Sequence, residues 1–600
     1  RTLFTPTDIR ENLFLRKEIA GFRTNIRREQ SCSIKSLTRD YLYKQLLSSG
    51  EYTFDHMLVI KDPYGEAPLT ALALFILEEP ACVRVTTKGN LKETDFVTEL
   101  PKKKEHRVPI LGMYAEKAND IVIEILDDEG NCVKSHTFTI RTKRLPKSLR
   151  NVITVKKWTD KPAYSNIMIN GGVKIHTCVF DIEGEIRYYL SRKPRGYGIF
   201  PLSDGHFFYM EKYISVPSYS NPQTVESYDM DYFGRVFRTY LTEKGVHHTA
   251  EEKAGGNILT GSNSMLEHTE DCVIEIDRQT GEIVWQLNMA EIFDETYQDM
   301  MDWCHVNSAA YYEKDRTILI SLRNVHAVIC VDYDTKKLRW ILSDPKFWEG
   351  TKMTPYLLQP EGDVKWAKRR KAKSFDKDPL SYVSFYDIDE EKKTVSLHKR
   401  FAGPKTRIRA NGIYVPDKKR VYNMAGSYAE PVDGDGGGIF EYDYETGEVL
   451  SEFGVKPGFF RAYPFEPNVQ ELAEPMQMTG DYQVGQIKQP QEISSSKYCK
   501  LKSEKKHHIK SAAIEYEMQE DLLFVNNVDH EVEKVYFIGD KGGYQVDFDD
   551  TYQTMDVFRT MVYKVAMQLT NLPKDKYKIY LQVKGELQTT KKYIDISAVN

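Results

Sequence analysis

Three residues that lie close together in the sequence could bind and transfer an anionic group. His305 and Asn307 stand two positions apart in WCHVNS, and Arg323 follows in ISLRN. Residues two apart in a strand share a face, so we expect His305 and Asn307 on one face. A three- or five-residue loop centred on Lys314 places Arg323 opposite His305, whereas a four-residue loop turns it to the other face. Because a buried guanidinium needs an anionic partner, the triplet predicts an anion site.

The elements that must position these residues repeat along the chain. Each repeat contains an apolar strand, a turn and an alternating strand, and the starts are 46 to 56 residues apart. A second hairpin precedes these repeat hairpins in part of the chain. Residues 305–324 and 409–428 are two such hairpins, and they align without gaps. Two hairpins make a four-stranded blade, so we predict an all-β fold with a six-bladed β-propeller at residues 147–515. The six hairpin turns begin at Asp181, Asp231, Asp277, Asp332, Asp387 and Asp443.

The remaining segments predict three further parts. Residues 1–50 have a basic polar face and are predicted to be helical. Short β runs separated by Gly, Asn and Asp predict a β-sandwich at 51–146. Residues 516–600 are predicted to close the propeller and to add a C-terminal β module.

Composition excludes several classes of partner. The chain has 600 residues with 83 basic and 88 acidic side chains, a net charge of −5, which argues against nucleic acid or an anionic membrane as partner. No apolar run reaches the length of a membrane helix. The eight cysteines include no CxxC pair, and several lie in apolar strands, as reduced thiols do. We therefore expect a cytoplasmic protein; the alternative is a periplasmic or cell-surface protein after signal removal.

The motifs resemble those of the aryl-sulfate sulfotransferases, bacterial enzymes independent of phosphoadenosine phosphosulfate. The resemblance covers about residues 50–500 and depends on DWCHVNS with Arg323, on VPILGMYAEKANDIVIEI, and on the propeller repeats. It implies transfer of a sulfuryl group from a phenolic sulfate ester to a phenol, in two steps through a sulfated histidine. It also implies small aryl sulfates and phenols as partners, no cofactor, and a homodimer, since family members can dimerise.

The resemblance also suggests roles for individual residues. Arg323 would clamp sulfuryl oxygens, and His305 would share that role or protonate the leaving phenolate. Asn307 would donate a hydrogen bond to the substrate, and Asn411, in the equivalent position of the sixth repeat, would face the same channel. His268, in SMLEHTEDCVIEID, matches a catalytic histidine of the family after deletion of one neighbouring residue.

The histidine nucleophile of the family belongs to the inner hairpin of the fifth repeat, where this sequence is irregular. No histidine lies between His326 and His398, and His398 belongs to an outer strand. We therefore expect a missing segment near Trp366–Arg369 that carries the nucleophile, and a break in the chain there. If the chain is continuous, the alternative is a non-catalytic propeller that serves as a binding scaffold.

Other site types are disfavoured by the sequence. A quinoprotein dehydrogenase would share hairpins such as TGEIVW, but it would show eight blades and vicinal cysteines. The glycine run 434–438 has no following lysine to bind phosphate. The pairs His247–His248 and His507–His508 lack the spacing of metal ligands, so we predict neither metal nor nucleotide.

Overall fold

The computed structural model is built mainly of β-strands, and the all-β prediction is confirmed. Forty strands and three α-helices are present in the described part of the chain. None of the helices described there has the length and apolar character needed to cross a membrane. The structure describes residues 2–4, 23–29, 31–159, 161–172, 175–192, 197–211, 224–264, 268–298, 302–362, 364, 380–406, 408–428, 436–477, 488–508, 514–519, 522–527, 532–548 and 563–597.

The N-terminal segment contains one helix and three short strands. These are β1 (Thr2–Phe4), β2 (Arg23–Thr24), β3 (Arg28–Glu29) and α1 (Cys32–Ser48). Ser31 caps α1, because its side chain accepts a hydrogen bond from the N–H of Ile34. The helix predicted over residues 1–50 is thus present at 32–48. Strands β2 and β3 are extended instead, because they pair with strands of the C-terminal module.

The region predicted to form a β-sandwich, called the sandwich below, contains five strands. Its strands are β4 (Leu58–Lys61), β5 (Ala71–Thr87), β6 (Phe96–Ile110), β7 (Ala118–Leu126) and β8 (Cys132–Arg141). The order β1-β4-β5-β7-β8 has β6 paired along β5. An irregularity after Ile76 divides β5, whose first half pairs with β4 and whose second half pairs with β7. The buried side chains of Phe75, Val85 and Ile121 belong to one core.

Five sheets, here called the propeller sheets, follow the sandwich. The first is β12-β11-β10-β31, the second runs from β13 to β19, the third from β20 to β23, the fourth is β24-β26-β25, and the fifth runs from β27 to β30 with β9 added. Their strands are β9 (Ile153–Lys157), β10 (Asn166–Asn170), β11 (Cys178–Asp181), β12 (Ile186–Tyr189), β13 (Gly198–Pro201), β14 (Phe207–Glu211), β15 (Thr224–Met230), β16 (Val236–Glu252), β17 (Ile258–Ser262), β18 (Cys272–Ile276), β19 (Ile283–Asn288), β20 (Val306–Tyr312), β21 (Thr317–Leu322), β22 (Ala327–Asp332), β23 (Leu338–Leu342), β24 (Gln359–Glu361), β25 (Leu380–Asp389), β26 (Thr394–Pro404), β27 (Ala410–Val415), β28 (Arg420–Ala425), β29 (Gly437–Asp443), β30 (Val449–Val455) and β31 (Arg461–Pro464).

All six predicted repeat hairpins are present as antiparallel pairs. Aspartate explains the turns, since its carboxylate accepts backbone N–H groups just beyond it. The Asp277 carboxylate, for example, accepts from the N–H groups of Gln279 and Thr280, both at 2.8 Å. Because the 17-residue strand β16 joins two sets of strands into one seven-stranded sheet, the number of blades stays a prediction.

The sheets are closed into a ring by β31. Successive sheets contact one another through β10 and β13, β17 and β20, and β26 and β28, and β27 contacts β31. The third and fourth sheets are linked by the hydrogen bond from Arg339 to Glu390. Strand β31 pairs with β10 across the first sheet. Closure therefore occurs at 461–464, and our prediction that residues after 516 close the propeller is wrong, because those strands bury a core of their own.

The fourth propeller sheet has three strands in the described part of the chain, where the sequence is irregular. Strand β24 runs parallel to β26, and β25 is antiparallel to it. The discontinuity expected near Trp366–Arg369, with its nucleophile, lies outside the described residues.

The C-terminal module consists of two sheets. One has the order β2-β40-β39-β36-β37-β32 with β33 paired to β40, and the other has the order β3-β34-β35-β38. Its elements, after the short helix α2 (Val469–Ala473), are β32 (Gln491–Glu492), α3 (Ser495–Ser503), β33 (His507–His508), β34 (Ile514–Gln519), β35 (Leu522–Asn527), β36 (Val532–Ile538), β37 (Gly543–Asp547), β38 (Tyr563–Gln568), β39 (Lys576–Val583) and β40 (Glu586–Asp595).

Candidate active site

The hairpin β20–β21 brings His305 and Arg323 together by a route that the sequence did not reveal. Tyr312 pairs with Thr317 across a four-residue loop, the length expected to turn Arg323 away. A β-bulge at Asn307 adds one residue to β20 and restores the register. The backbone N–H of Arg323 consequently donates to the carbonyl of His305 (3.2 Å). The bulge also interrupts the alternation that placed Asn307 and His305 on one face.

The backbone of His305 is unusual, and two other sheets repeat it. His305 has φ 55°, and φ is 57° at His248 and 65° at Arg409. The last of these is the residue that aligns with His305 in the sequence repeat. Non-glycine residues seldom adopt this left-handed conformation, which costs free energy and is concentrated at functional sites. Three sheets therefore present a chemically active side chain from a strained position.

Two buried carboxylates lie behind His305. Its Nδ1 is 2.8 Å from Oδ2 of Asp302 and 2.5 Å from Oε2 of Glu270. Burial by itself would lower the pKa of His305, but the charge of Glu270 and the hydrogen bonds to both carboxylates raise this pKa to about 9. For Asp302, burial is the main effect and raises the pKa. Nδ1–H is thereby fixed towards the carboxylates, and Nε2 faces away from them.

Arg323 meets the other side of the same ring. Its Nη1 is 3.2 Å from Nε2 of His305, and the Arg323 side chain is half-buried. With Nε2 unprotonated, Arg323 donates to it. With Nε2 protonated, two cations lie side by side and require a shared anion. Since the carboxylates favour the protonated form, the pair is suited to bind an anionic oxygen.

His248 and His247 stand beside this pair, although the sequence analysis set them aside. The rings of His248 and His305 are 4.7 Å apart, and Tyr197 lies 4.4 Å from the other side of His248. The hydroxyl of Tyr197 donates to Oε1 of Glu270 (3.4 Å). Aligning 245–264 with the inner hairpins at 305–324 and 409–428 places Gly245 opposite His305 and His247 opposite Asn307, so the repeat does not single out His248. We call His248, Glu270, Asp302, His305 and Arg323 the central cluster.

The strand that closes the ring also contributes to the site. Phe460, just before β31, packs 5.3 Å from the Tyr197 ring. Arg461 donates from Nη2 to the carbonyl of Asn307 (3.0 Å), which anchors the bulge of β20. An aromatic wall and a further cation therefore border the central cluster.

The other predicted site residues have different surroundings. The amide of Asn411 donates to the carbonyl of Ala462 (2.9 Å) and accepts from its N–H (3.2 Å), so it links β27 to β31. His268 packs against Trp303 with ring centroids 6.3 Å apart, and its buried Nδ1 has no hydrogen-bond partner among the described residues. Substrate binding by Asn411 and Asn307 and catalysis by His268 stay predictions.

Potential metal ligands are gathered around Glu270. Its carboxylate shares one group with His247 and His248 and another with Asp302 and His305, with donor atoms within 4.8 Å of one another in each. The predicted lack of ligand geometry for His247–His248 is therefore wrong, because the fold supplies the third ligand from a distant part of the chain. Hydrogen bonds already use several of these donors.

Comparisons with known proteins agree on one family. A model described as Arylsulfotransferase (ASST) matches residues 151–370, and an Arylsulfotransferase Ig-like domain matches 58–143. Arylsulfate sulfotransferase AssT of Lelliottia amnigena is 21% identical over 407 residues, and that of Escherichia coli O6:H1 is 23% identical over 411. Each alignment covers 50% of this chain and 66% of the relative, slightly less than two thirds of its length.

Solved structures were also compared with this chain. A putative 6-phosphogluconolactonase from Bacteroides fragilis is 12% identical, and the match covers 65% of this chain and 99% of that chain, with a TM-score of 0.29. The two family models cover the β-sandwich and the propeller sheets up to the irregular fourth sheet. The chain therefore belongs to the arylsulfotransferase family.

Proposed function

We propose that the protein transfers a sulfuryl group from an aryl sulfate ester to a phenol, in two steps through a sulfated histidine. The observation that carries this proposal is the pairing of His305 with Arg323 in front of two buried carboxylates. Family membership and the names of the relatives, both arylsulfate sulfotransferases, support the same reaction.

The role of Arg323 as a clamp is explained by the negative charge of the sulfuryl group. Sulfuryl oxygens are negative, and more charge collects on the leaving phenolate as the S–O bond breaks. Arg323 supplies a planar, permanently charged fork that suits such oxygens. Because it is held by its backbone contact to His305, it is preorganised for the transition state.

His305 is suited to exchange a proton with the phenol. Its pKa of about 9 lies near the pKa of about 10 of a tyrosine phenol, so the transfer is nearly balanced in either direction. Asp302 and Glu270 hold Nδ1–H and leave Nε2–H to face the substrate. The donor phenolate would take this proton, and the acceptor phenol would return one.

An aryl ring also has a surface to pack against. The rings of Tyr197 and Phe460 are tilted by 60° with centroids 5.3 Å apart, and the ring of His248 lies beside Tyr197. Aromatic pairs of this kind favour a flat apolar ligand. The site thus combines an anion clamp with an aromatic wall, as an aryl sulfate requires.

The test is a transfer assay with a chromogenic donor. The purified protein is incubated with 4-nitrophenyl sulfate with and without phenol, and nitrophenol and phenyl sulfate are both quantified. We expect turnover that depends on phenol, with one phenyl sulfate formed per nitrophenol. Equal turnover without phenol would identify a hydrolase instead, and no turnover with several phenolic acceptors would favour the binding scaffold.

A further inference from the structure

We propose that His247, His248 and Glu270 bind a zinc ion beside the pair of His305 and Arg323. The ligand atoms are Nδ1 of the two histidines and Oε1 of the glutamate. This site lies beyond the proposed function, because its occupancy is measured without any sulfuryl donor. It also departs from the sequence prediction that the protein binds no metal.

A distortion of β16 explains how two consecutive histidines reach the same point. Neighbouring residues of a regular strand point to opposite faces of the sheet. The pairing of β16 with β17 is irregular just after His247, and His248 has a left-handed φ of 57°. Their Nδ1 atoms consequently lie together, 3.2 Å apart. Glu270 has a left-handed φ of 55° as well, so two of the three ligands come from backbone positions that cost free energy.

The separations between the donor atoms are those of tetrahedral zinc ligands. Bonds of about 2.0–2.1 Å place two tetrahedral ligands about 3.3–3.4 Å apart. Nδ1 of His248 lies 3.2 Å from Nδ1 of His247 and 3.6 Å from Oε1 of Glu270. In the other group around Glu270, Nδ1 of His305 lies 2.5 and 2.8 Å from carboxylate oxygens, which are hydrogen-bond distances. The geometry therefore assigns the ion to the histidine pair and a proton to His305.

The ring of His247 is held in the orientation of a zinc ligand. Its Nε2 lies 2.8 Å from the backbone carbonyl of Ser262. A carbonyl can only accept, so Nε2 carries the proton and Nδ1 bears the lone pair that a metal needs. Metal-bound histidines almost always donate their second ring N–H in this way, which fixes their tautomer and orientation.

Gly261 on the neighbouring strand leaves room for this ring. A Cβ atom at Gly261 would lie 2.7 Å from Cε1 and 2.8 Å from Nδ1 of His247. Both distances are well below the about 3.5 Å of a favourable contact, so a larger residue would displace the ligand atom. The strand is therefore shaped around Nδ1 of His247.

The charge and burial of Glu270 favour a cation at this point. Glu270 and His247 are fully buried, and the His248 side chain is 14% exposed. Oε2 of Glu270 faces His305 and Oε1 faces the histidine pair, so the ion and His305 use different oxygens of one carboxylate. Two imidazoles and one carboxylate, with a fourth position left for water, form a ligand set that zinc enzymes use.

Titration with zinc alone tests the site. The purified full chain is stripped with a chelator, dialysed and titrated with zinc chloride by isothermal titration calorimetry. We expect one zinc ion per chain, the strong visible absorption of tetrahedral coordination in the cobalt(II) form, and two imidazoles in the X-ray absorption spectrum of the zinc form. No binding at millimolar zinc, or a zinc ion bound without imidazole, overturns the inference.

Variants locate the ion. His247→Gln and His248→Gln should each lower zinc affinity by more than the about 10–100-fold that a lost second-shell contact costs. His398→Gln, which removes an exposed histidine 3.1 Å from a carboxylate, should leave zinc affinity unchanged. Asp302→Asn should also keep the ion. Zinc lost in Asp302→Asn and retained in His247→Gln would belong to the other group around Glu270 and would overturn the inference.

Gly261→Ala tests the site without removing a ligand. It should weaken zinc binding, because the added Cβ displaces Nδ1 of His247. Unchanged zinc affinity in a folded Gly261→Ala protein overturns the ligand assignment. If variants of the buried residues do not fold, the number of imidazoles in the wild-type spectrum decides. A protein that transfers sulfuryl groups without binding zinc removes this inference alone, and one that binds zinc without such transfer removes the proposed function alone.

Discussion

Two buried clusters of charged side chains in this molecule differ in which of their hydrogen-bonding groups have partners. The first, which we call the junction cluster, joins α1, the sandwich and the second propeller sheet, and consists of Asp40, Tyr64, Arg107, Asp231 and Arg235. The second is the central cluster. Both contain buried carboxylates that face cations.

In the junction cluster the acidic groups are fully used. One oxygen of Asp40 accepts from Tyr64 and Arg107, and the other accepts from Arg235 and from the N–H of Met476. Arg235 in turn donates to two backbone carbonyls and to Asp231. Such a cluster holds parts of the fold together through its carboxylates, although Nε and Nη1 of Arg107 have no hydrogen-bond partner among the described residues.

In the central cluster the same residue types leave reactive atoms uncommitted. Nε2 of His248 has no partner in the described part of the chain, and Nη1 of Arg323 lies 3.2 Å from Nε2 of His305. The comparison teaches that burial and charge do not by themselves mark a site. The two clusters differ in which group lacks a partner: guanidinium N–H groups of Arg107 in the first, and Nε2 of His248 in the second.

The largest effect should come from removing the carboxylate of the junction cluster. Asp40→Ala leaves Arg107 and Arg235 buried without their acceptor, so the free energy of unfolding should fall by about 3–5 kcal/mol. Urea unfolding measures this. The control Asp55→Ala breaks an exposed pair with Lys134 and should change stability by less than about 1 kcal/mol. Equal losses would mean that the junction cluster is not structural.

Removing the Arg323 side chain from the central cluster should lower the rate of sulfuryl transfer without changing the free energy of unfolding. Arg323→Ala should lower kcat/KM for sulfuryl transfer by about 10²–10³-fold, because a preorganised donor to the developing charge is lost. Arg316→Ala, which breaks an exposed pair with Asp334 near the same hairpin, is the control. An active Arg323→Ala protein would remove this residue from the mechanism.

The pH dependence of activity should further distinguish the central cluster from the junction cluster. The pKa of His305 is raised to about 9, so its proton is present below that pH and activity should fall as pH rises through about 9. The charged ring also contributes to the free energy of unfolding. This contribution is fully present below the pKa of about 6.5 of an unfolded histidine, and it is lost as the pH rises through about 9.

A variant identifies the carboxylate responsible. Asp302→Asn should move the alkaline limb of kcat/KM to lower pH, because a hydrogen bond to a charged acceptor is lost. Asp387→Asn, beside the exposed His398, should leave the limb unchanged. An unmoved limb in Asp302→Asn would assign the titration to another group.

The smallest effect should come from Asn411, whose amide bonds link β27 to β31. Asn411→Ala should cost about 1 kcal/mol of stability and leave KM for the aryl sulfate unchanged. Thermal unfolding and steady-state kinetics check the two parts. A raised KM at unchanged stability would restore Asn411 to substrate binding, as the resemblance implied.

Sequence reasoning succeeded where one local rule decides the structure. Aspartate turns between apolar strands identified every repeat hairpin, because the Asx turn needs only neighbouring residues. It could not identify β31 as the closing strand. That pairing joins residues separated by most of the propeller and leaves no local pattern.

For the site, the residue types were informative but their geometry was not. His305 and Arg323 lie together as expected, but their contact depends on a bulge at Asn307. No residue type at that position predicts a bulge. Glu270 and His248 come from other parts of the chain, so no local pattern pointed to them. A motif search in a single sequence finds residues that are close along the chain, whereas this cluster combines residues from separate segments of the chain.

The position of β31 has a consequence for biosynthesis. Until Arg461–Pro464 has emerged from the ribosome, β10 presents an unpaired edge, and nascent chains with such edges are prone to aggregate. Phe460 and Arg461 arrive with the same strand, so the aromatic wall and the anchor of the bulge form last. The surroundings of the central cluster are therefore complete only after the ring closes, and under the proposed function sulfuryl transfer would report that closure.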